Sequence, residues 1–335
     1  MAPWQSSWHG TAPGTGGNVS GVKILVPSNV PFDLTIDVEG VDVAPYVMRD
    51  EIPDQHTDAE AIVTWASPQR VMDDAARRLP NLRWVQTLNA GPDQALATGF
   101  SPEVVIASGR SLHDATVAEH TLALLLASVR RIDRTLDAQR RHEWDRDLGR
   151  EQARDERSFT LHGAHVVVWG FGSIAARLAP LLEALGARVS GVASSDGERY
   201  GYPVVGSDRL AEVLPTADVL ISLLPATEAT HHALDADVLA LLPAHARFVN
   251  AGRGATVDEA ALAAALRAGT LAGAALDVTE TEPLPADSEL WDTPGLILTP
   301  HVAGGRPQGA AAFVTAQVRR WLEGGAEALE NVVAR

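Results

Sequence analysis

The sequence contains no cysteine, which excludes disulfide bonds, thiolate nucleophiles and cysteine-ligated metals. Basic residues are also scarce, because 27 Lys and Arg stand against 43 Asp and Glu. The resulting formal net charge of −16 repels nucleic-acid backbones and anionic membrane surfaces. No apolar run is long enough to span a membrane. We therefore expect a cytoplasmic protein that holds no metal and binds neither nucleic acid nor membrane.

The chain of 335 residues is long enough for two domains, and its 46% hydrophobic and 21% charged residues are typical of a globular protein. Residues 1–21 are rich in Gly, Pro, Ser and Thr and lack the basic start and apolar middle of a signal peptide. We expect them to form a disordered tail, with the folded part beginning at Val22.

Short apolar runs recur roughly every twenty residues in the first third of the chain, separated by polar or helix-like stretches such as Pro68–Leu79. This rhythm predicts a parallel sheet with crossover helices. The loop Asn89–Asp93 follows the fourth run, and loops at the carboxyl ends of parallel strands bind ligands. An ordinary turn made of turn-forming residues is the alternative for this loop. The runs lie at residues 22–26, 41–46, 61–66, 82–88 and 104–107.

The segment Val166–Ala175 predicts a strand, a tight turn and the start of a helix. Gly170 permits the turn, Gly172 lets the backbone approach a pyrophosphate, and the small Ala175 lets the helix pack against its strand. The free N–H groups and the dipole at the helix start favour a bound anion. A helical apolar pattern over 178–185 and a strand pattern over 188–192 complete a βαβ unit that binds a dinucleotide.

Further strand patterns lie at residues 218–223, 247–250, 273–278 and 296–299, so that six parallel strands are expected in this second sheet. Residues 115–132 predict a broadly apolar helix. It is expected either to lie at an interface, as an interdomain spacer or a subunit contact, or to be an ordinary core helix. The charged stretch Arg140–Arg157 predicts an exposed connector. Pro307–Leu329 predicts a last helix that packs back onto the N-terminal sheet.

Three later stretches each place a reactive group after a predicted strand. Arg253, between two glycines, can bind a carboxylate and polarise a carbonyl. The acidic stretch Asp277–Leu284 follows another strand, and Pro300 fixes the approach of the His301 imidazole. Taken singly, these groups are equally compatible with an arginine salt bridge, a solvated acidic loop and a surface histidine. Together they predict a site that acts on a carbonyl acid.

With these motifs the chain resembles the D-isomer-specific 2-hydroxyacid dehydrogenase family, which includes glyoxylate/hydroxypyruvate reductases, D-lactate dehydrogenases and phosphoglycerate dehydrogenases. The resemblance extends over about residues 22–322. Its most specific parts occur in the family's order and spacing. They are GFGSIA at 170–175, NAGRGATVDEAAL at 250–262, DVTETEPLP at 277–285 and LWDTPGLILTPHVAGG at 290–305.

The resemblance implies an α/β fold of two doubly wound parallel-sheet domains. A Rossmann cofactor domain, residues 114–303, would be inserted into a flavodoxin-like substrate domain formed by 22–113 and 304–331. Both crossings would act as hinges around a cleft. The helix from Ala115 would be the dimer element, so a homodimer is expected.

The resemblance also assigns the catalytic roles. Arg253 would bind the substrate carboxylate and keto oxygen, His301 would donate and accept the proton, and Glu282 would pair with His301. A carboxylate beside an imidazole favours the imidazolium, which can protonate the alkoxide as hydride arrives. The loop Asn89, Ala90 and Gly91 would help to hold the substrate. The cofactor would contact Gly170, Gly172, Ser173, Ile174, Ser194, Ser195, Leu224, Pro225, Ala251, Gly252, Arg253, Asp277 and His301.

The cofactor is expected to be NAD or NADP, and one departure from the family pattern favours NADP. NAD-preferring members carry an aspartate after the second Rossmann strand, whereas Ala193 occupies that position here. Ser194 and Ser195 could donate to a 2′-phosphate, and Arg199 could reach it. The alternative is that Asp196 serves the ribose of NAD through a longer loop.

These patterns predict an NAD(P)-dependent reductase that converts small 2-keto acids, of the glyoxylate and hydroxypyruvate type, into D-2-hydroxy acids. The alternative from another class is a nucleotide-sensing, non-catalytic protein resembling the corepressors of the same fold. The combination of Arg253, Glu282 and His301 favours the enzyme. Formate dehydrogenases of the same superfamily resemble the chain less, since they pair the histidine with glutamine.

Overall fold

The computed structural model describes residues 21–155 and 157–333, so the tail expected at residues 1–21 lies outside the described residues except for Gly21. The N-terminal part forms a five-stranded, fully parallel sheet. Its strands are β1 (Val22–Pro27), β2 (Val41–Tyr46), β3 (Ala61–Thr64), β4 (Trp84–Thr87) and β5 (Val105–Ala107). The order β2-β1-β3-β4-β5 is the flavodoxin-like arrangement, and all five predicted strands are confirmed.

A second sheet contains eight strands rather than the six expected. They are β6 (His165–Trp169), β7 (Arg188–Ala193), β8 (Gly197–Arg199), β9 (Tyr202–Gly206), β10 (Val219–Ser222), β11 (Arg247–Asn250), β12 (Gly273–Leu276) and β13 (Leu296–Leu298). Their order is β13-β12-β11-β10-β6-β7-β9-β8, and only β8 runs antiparallel, against β9. The two extra strands form an edge hairpin whose short, glycine- and proline-interrupted segments give no apolar periodicity.

Ten α-helices connect these strands within the described residues. They are α1 (Gln69–Arg78), α2 (Asp93–Ala97), α3 (Asp114–Val129), α4 (Ile132–Arg140), α5 (Arg146–Gln152), α6 (Ser173–Ala184), α7 (Leu210–Val213), α8 (Ala236–Ala240), α9 (Glu259–Ala268) and α10 (Ala310–Gly324). None of these helices is long and apolar enough to cross a membrane. The helix expected to reach Leu329 ends at Gly324, because the next residue, Gly325, takes a positive φ of 62°.

The central strand β6 is buried on both faces and separates two apolar layers. Because side chains alternate along a strand, Val167 and Trp169 join one layer, whereas Val166 and Val168 join the other. Helix α3 packs against α6 in the second layer, where its Leu125 is fully buried. Of the two interpretations of this helix, the core helix is therefore the one that the packing supports.

The expected connector at 140–157 contains the short helix α5. The Asp145 carboxylate caps this helix by accepting hydrogen bonds from the N–H groups of Asp147 and Leu148. The preceding Trp144 is 89% exposed. The stretch is therefore exposed, as predicted, but partly helical.

Helix α10 returns to the first sheet, as predicted. Val314, Val318 and Trp321 are buried against residues of that sheet, and the Trp321 ring stacks on Trp84 with centroids 5.6 Å apart. Burial of side chains of this size contributes roughly 1.5–3 kcal/mol each. The last helix and residues 22–107 therefore share one hydrophobic core.

The chain passes twice between the two sheets, and the two crossings are in contact. The Nδ1 atom of His113 lies 2.9 Å from the carbonyl oxygen of Gly304, and its Nε2 atom lies 2.8 Å from that of Leu88. The hydroxyl of Thr116 also donates to the Gly304 carbonyl, at 2.8 Å. The buried His113 ring thus joins both crossings to the end of β4.

Candidate active site

Strand order in the second sheet reverses between β6 and β10, and the crevice at such a point is where open parallel sheets bind ligands. Gly170 follows β6 with a φ of 94°, and a Cβ there would lie 2.7 Å from the carbonyl oxygen of Leu223. Only glycine fits both the conformation and the contact. The turn is thereby held against the end of β10.

Gly172 is the N-cap residue of α6, and no atom lies within 4 Å of where its side chain would be. The first N–H groups of α6, at Ser173 and Ile174, have no acceptor within the helix and face an anion favourably. Ala175 is fully buried in the layer below. The residues present therefore fit the pyrophosphate of a dinucleotide.

Four more proposed cofactor contacts lie at the neighbouring strand ends. Leu224 and Pro225 follow β10, and Ala251 and Gly252 follow β11. The N–H of Ala251 donates to the carbonyl of Ser222 at 3.2 Å, and a Cβ on Gly252 would lie 2.6 Å from the carbonyl oxygen of Leu224. The two loops are thus in close contact beside the turn at Gly170.

At the end of β7, Ala193 is buried, whereas Ser194 and Ser195 are exposed. Arg199, from β8, donates through Nη2 to the Ser194 hydroxyl at 3.3 Å. The Asp196 carboxylate accepts from the N–H of Gly206 at 2.7 Å and pairs with Arg209 at 3.2 Å. The Gly206 hydrogen bond, together with Arg209, lowers the pKa of Asp196. Asp196 is therefore engaged within its own loop, while a serine and an arginine lie together at the loop surface.

The structure brings His301 and Glu282 together at the ends of β13 and β12. The Nδ1 atom of His301 lies 2.7 Å from Glu282 Oε2, which leaves Nε2 to meet a substrate. His301 takes a left-handed backbone conformation with a φ of 53°, and its N–H donates to the carbonyl of Asp277 at 2.7 Å. Such conformations in residues other than glycine are uncommon and concentrate at functional sites.

Asp277 lies beneath this turn and is 1% exposed. Its carboxylate accepts from the Thr299 hydroxyl at 2.6 Å and from the N–H groups of Val302 and Ala303 at 3.0 and 2.9 Å. His120 Nε2, from α3, lies 3.2 Å from the same carboxylate and 3.0 Å from the Thr299 hydroxyl. Asp277 therefore holds the turn that carries His301. His120 was not predicted from the sequence, although a histidine in a mostly apolar helix could have indicated a polar contact there.

Arg253 meets the loop of the first sheet. Its Nε donates to Asp93 Oδ2 at 3.1 Å, and its Nη1 donates to the carbonyl of Gly252 at 2.7 Å. A side chain on Gly91 would overlap the Nη2 atom of Arg253. The carbonyl of Asn89 accepts from the N–H of Gly109 at 2.8 Å, and Ala90 lies exposed between Asn89 and Gly91. The loop at 89–93 of the first sheet and Arg253 of the second sheet are thus in contact.

A cavity of about 660 Å³ opens beside His301 and Glu282. Among the described residues, no group of three or more His, Asp or Glu side chains is arranged to hold a metal ion. A cation, an imidazole–carboxylate pair and a nucleotide-binding turn therefore all follow strands of the second sheet, at its carboxyl edge. Besides His301 and Glu282, the cavity is lined by Asp277, Thr279, Pro283, Leu284, Trp291, Leu298, Thr299 and Pro300.

Residues 122–303 match the family model described as D-isomer specific 2-hydroxyacid dehydrogenase, NAD binding domain, over more than half of the chain. The chain is 32% identical over 267 residues to a glyoxylate/hydroxypyruvate reductase B of Citrobacter koseri, covering 76% of this chain and 79% of that relative. It is 29% identical over 323 residues to a D-3-phosphoglycerate dehydrogenase of Methanocaldococcus jannaschii, covering 93% of this chain but only 59% of that relative.

A solved structure gives the same result for the fold. An NADPH-dependent glyoxylate/hydroxypyruvate reductase of Sinorhizobium meliloti, in complex with NADP and sulfate, superposes with a TM-score of 0.74 at 27% identity. The match covers 93% of this chain and 98% of the other.

Proposed function

Because the chain belongs to the D-isomer-specific 2-hydroxyacid dehydrogenase family, we propose that it reduces small 2-keto acids of the glyoxylate and hydroxypyruvate type to D-2-hydroxy acids. As a member of that family it is an NAD(P)-dependent oxidoreductase acting on CH–OH groups. One observation carries the choice of substrate class. Arg253 follows β11, and the paired Glu282 and His301 follow β12 and β13, so all three lie at the carboxyl edge of the sheet whose strand β6 leads into the nucleotide-binding turn.

A nicotinamide cofactor held at the turn from Gly170 to Ile174 would supply the hydride that reduces the keto carbon. Arg253 binds the carboxylate of the acid with its planar guanidinium and polarises the keto oxygen, on which negative charge develops. His301, whose Nδ1 atom lies 2.7 Å from Glu282 Oε2, gives the proton at Nε2 to that oxygen. In the reverse direction the same nitrogen accepts the proton from the hydroxy acid.

We also propose that NADPH is preferred over NADH. Ala193 places no carboxylate near the ribose, so nothing there repels a 2′-phosphate. Ser194 and Arg199 lie together at this point, and the Asp196 carboxylate is engaged by Gly206 and Arg209. The related enzyme of S. meliloti, which was solved with NADP, supports the same preference.

We propose that residues 22–113 and 304–331 form the substrate domain and 114–303 the cofactor domain of a protein located in the cytoplasm. We also propose that the protein is a homodimer. Exposed apolar side chains cluster in the sequence after α3, at Ile132, Leu136 and Trp144, and favour a subunit contact there. Light scattering on the purified protein tests this, since a monomeric mass at micromolar concentration contradicts it.

Turnover measurements test the proposed function. The purified protein is mixed with NADPH or NADH and with glyoxylate, hydroxypyruvate, pyruvate or 2-ketobutyrate, and absorbance loss is followed at 340 nm, the absorption band of reduced nicotinamides. We expect consumption with glyoxylate and hydroxypyruvate, faster with NADPH. Tight nucleotide binding without turnover on any of these acids would instead support the non-catalytic, nucleotide-sensing alternative.

A further inference from the structure

Two hydrogen bonds hold the guanidinium of Arg253 in place. Its Nε atom donates to Asp93 Oδ2 at 3.1 Å, and its Nη1 atom donates to the carbonyl of Gly252 at 2.7 Å. Since a planar guanidinium has five N–H donors, these two bonds fix its plane and leave three donors, on Nη1 and Nη2, for a ligand. The side chain of Arg253 is 27% exposed and is therefore partly accessible.

We propose that Asp93 is a positioning residue that acts through Arg253 and sets the orientation in which the guanidinium meets the keto acid. This inference rests on the proposed function. Asp93 is 50% exposed, and an ion pair this exposed contributes little to the stability of the fold. Its main effect is therefore on the direction of the guanidinium. A misdirected Arg253 would still carry its charge but would no longer point two donors at the substrate.

Gly91 leaves the space that the Arg253 guanidinium occupies beside Asp93. A Cβ atom at this position would overlap Nη2 of Arg253, approach its Cζ to 2.7 Å and clash with Oδ2 of Asp93. These atoms are the far ends of flexible side chains, so an alanine here would displace the guanidinium and its Asp93 partner and leave the backbone in place. Asp93 draws the guanidinium toward this loop, and Gly91 leaves the space that it needs there.

Asp93 and Gly91 follow β4 of the first sheet, whereas Arg253 follows β11 of the second and lies 160 residues away in sequence from Asp93. Arg253 therefore takes its working orientation only when the two sheets meet around the cleft. The loop of one sheet completes the carboxylate-binding group of the other.

Steady-state kinetics on Asp93→Ala, Asp93→Asn and Gly91→Ala test the proposal. Asp93→Ala and Gly91→Ala should raise the KM for glyoxylate by about tenfold to a hundredfold and lower kcat, because the reacting groups are misaligned. The KM for NADPH and the melting temperature should stay at the wild-type values. Asp93→Asn keeps an acceptor oxygen for Nε and should recover most of the lost activity.

Two variants serve as matched controls. Gly99→Ala adds the same methyl group in the same segment, where no atom lies within 4 Å, and Asp50→Asn removes one exposed negative charge from the same part of the chain. Both should behave as wild type. Unchanged kinetics in Asp93→Ala, or an equal rise in the KM for NADPH, would overturn the proposal.

A binding measurement separates this proposal from the proposed function. Oxalate, an unreactive dicarboxylate, is titrated calorimetrically into wild type and Asp93→Ala in the presence of NADP. Weaker oxalate binding in Asp93→Ala supports the positioning role even if wild type reduces none of the keto acids, a result that would overturn the function alone. Equal oxalate binding in the two proteins, or none in either, counts against the positioning role.

Discussion

The ring and the backbone of His301 are held by different groups. Its ring is held by Glu282 at 2.7 Å, and its left-handed backbone is held by hydrogen bonds to the carbonyls of Asp277 and Thr299. A left-handed conformation costs a residue other than glycine of the order of 1–3 kcal/mol, so the surrounding bonds must offset it. The imidazole is therefore aimed by the backbone as much as by its carboxylate partner.

We expect His301→Ala to reduce kcat by about 10²–10⁴, with a much smaller effect on the KM for the keto acid, because the proton donor is lost while Arg253 still binds the carboxylate. Stopped-flow and steady-state assays with glyoxylate measure both quantities. The exposed His162→Ala is the control and should keep wild-type rates. A rate for His301→Ala within twofold of wild type would mean that another acid protonates the product.

Ala193→Asp should shift the cofactor preference toward NADH. The new carboxylate would accept hydrogen bonds from the ribose diol and repel the 2′-phosphate, and a tenfold fall in the NADPH to NADH ratio of kcat/KM corresponds to about 1.4 kcal/mol. Arg199→Ala should move the ratio in the same direction. Arg188→Ala, which removes a charge at the opposite end of β7, should leave the ratio unchanged. A strong NADH preference in wild type that Asp196→Ala abolishes would identify Asp196 as the ribose ligand instead.

His165 should make stability depend on pH. Burial, assisted by the nearby Arg188, lowers the pKa of this histidine below its usual 6.5. His165 therefore binds a proton more readily in the unfolded chain than in the folded protein. Its contribution to the free energy of unfolding is complete above about pH 6.5 and is lost as the pH falls through the pKa of the folded state. Urea unfolding of wild type and His165→Gln at about pH 5 to 7.5 measures this. The variant should lose part of the acid slope, whereas the exposed His162→Gln should retain it.

Strands and helices were foreseeable wherever a long apolar pattern exists, as in β6, α3 and α9. The β8–β9 hairpin was not, because its segments are short and interrupted by glycine and proline. Within the site, Arg253, Glu282 and His301 could be predicted because each is a reactive residue that follows a predicted strand. The contact between Asp93 and Arg253 was invisible, since it joins residues 160 positions apart in sequence on different sheets. The same holds for Asp277, whose partners Val302 and Ala303 are backbone groups of a neighbouring strand's turn.

Asp277→Asn should destabilise the turn after β13. An amide presents only one oxygen, so its NH₂ group would replace either Oδ2 and face the N–H of Ala303, or Oδ1 and face the N–H of Val302 and the Thr299 hydroxyl. Leaving a buried donor unsatisfied costs about 1–3 kcal/mol, and kcat should fall because His301 belongs to the same turn. Thermal unfolding and turnover measure the two effects. The exposed Asp287→Asn is the control, and a variant with normal stability and activity would contradict this role for Asp277.

Across the whole molecule, the first sheet is completed by a helix from the far end of the chain. Val314, Val318 and Trp321 of α10 are buried against it, and the two crossings meet where His113 contacts Gly304. Because the entry and exit of residues 114–303 are adjacent, the structure between them can change with little effect on the core of the first sheet.

A protein in which residues 114–303 are replaced by a short glycine-rich linker should therefore fold. We expect cooperative thermal unfolding and retained tryptophan burial, because β1–β5 and α10 keep their shared core and the linker spans a small gap. Residues 22–113 alone are the control and should not fold cooperatively, since Trp84 loses its cover. An unfolded linker protein would show that the second sheet is required for the first to form.

The return of α10 has a further consequence if the chain is cut between Leu112 and Asp114. Neither piece then holds a complete first core, because the strands would be on one polypeptide and Val314, Val318 and Trp321 on the other. Each piece would expose the apolar surface that the other covers, so the two should reassemble without a covalent link when expressed together. The position of one helix thus makes this chain suitable for division into two complementary fragments, whose reassembly would be measured by the proposed reductase activity.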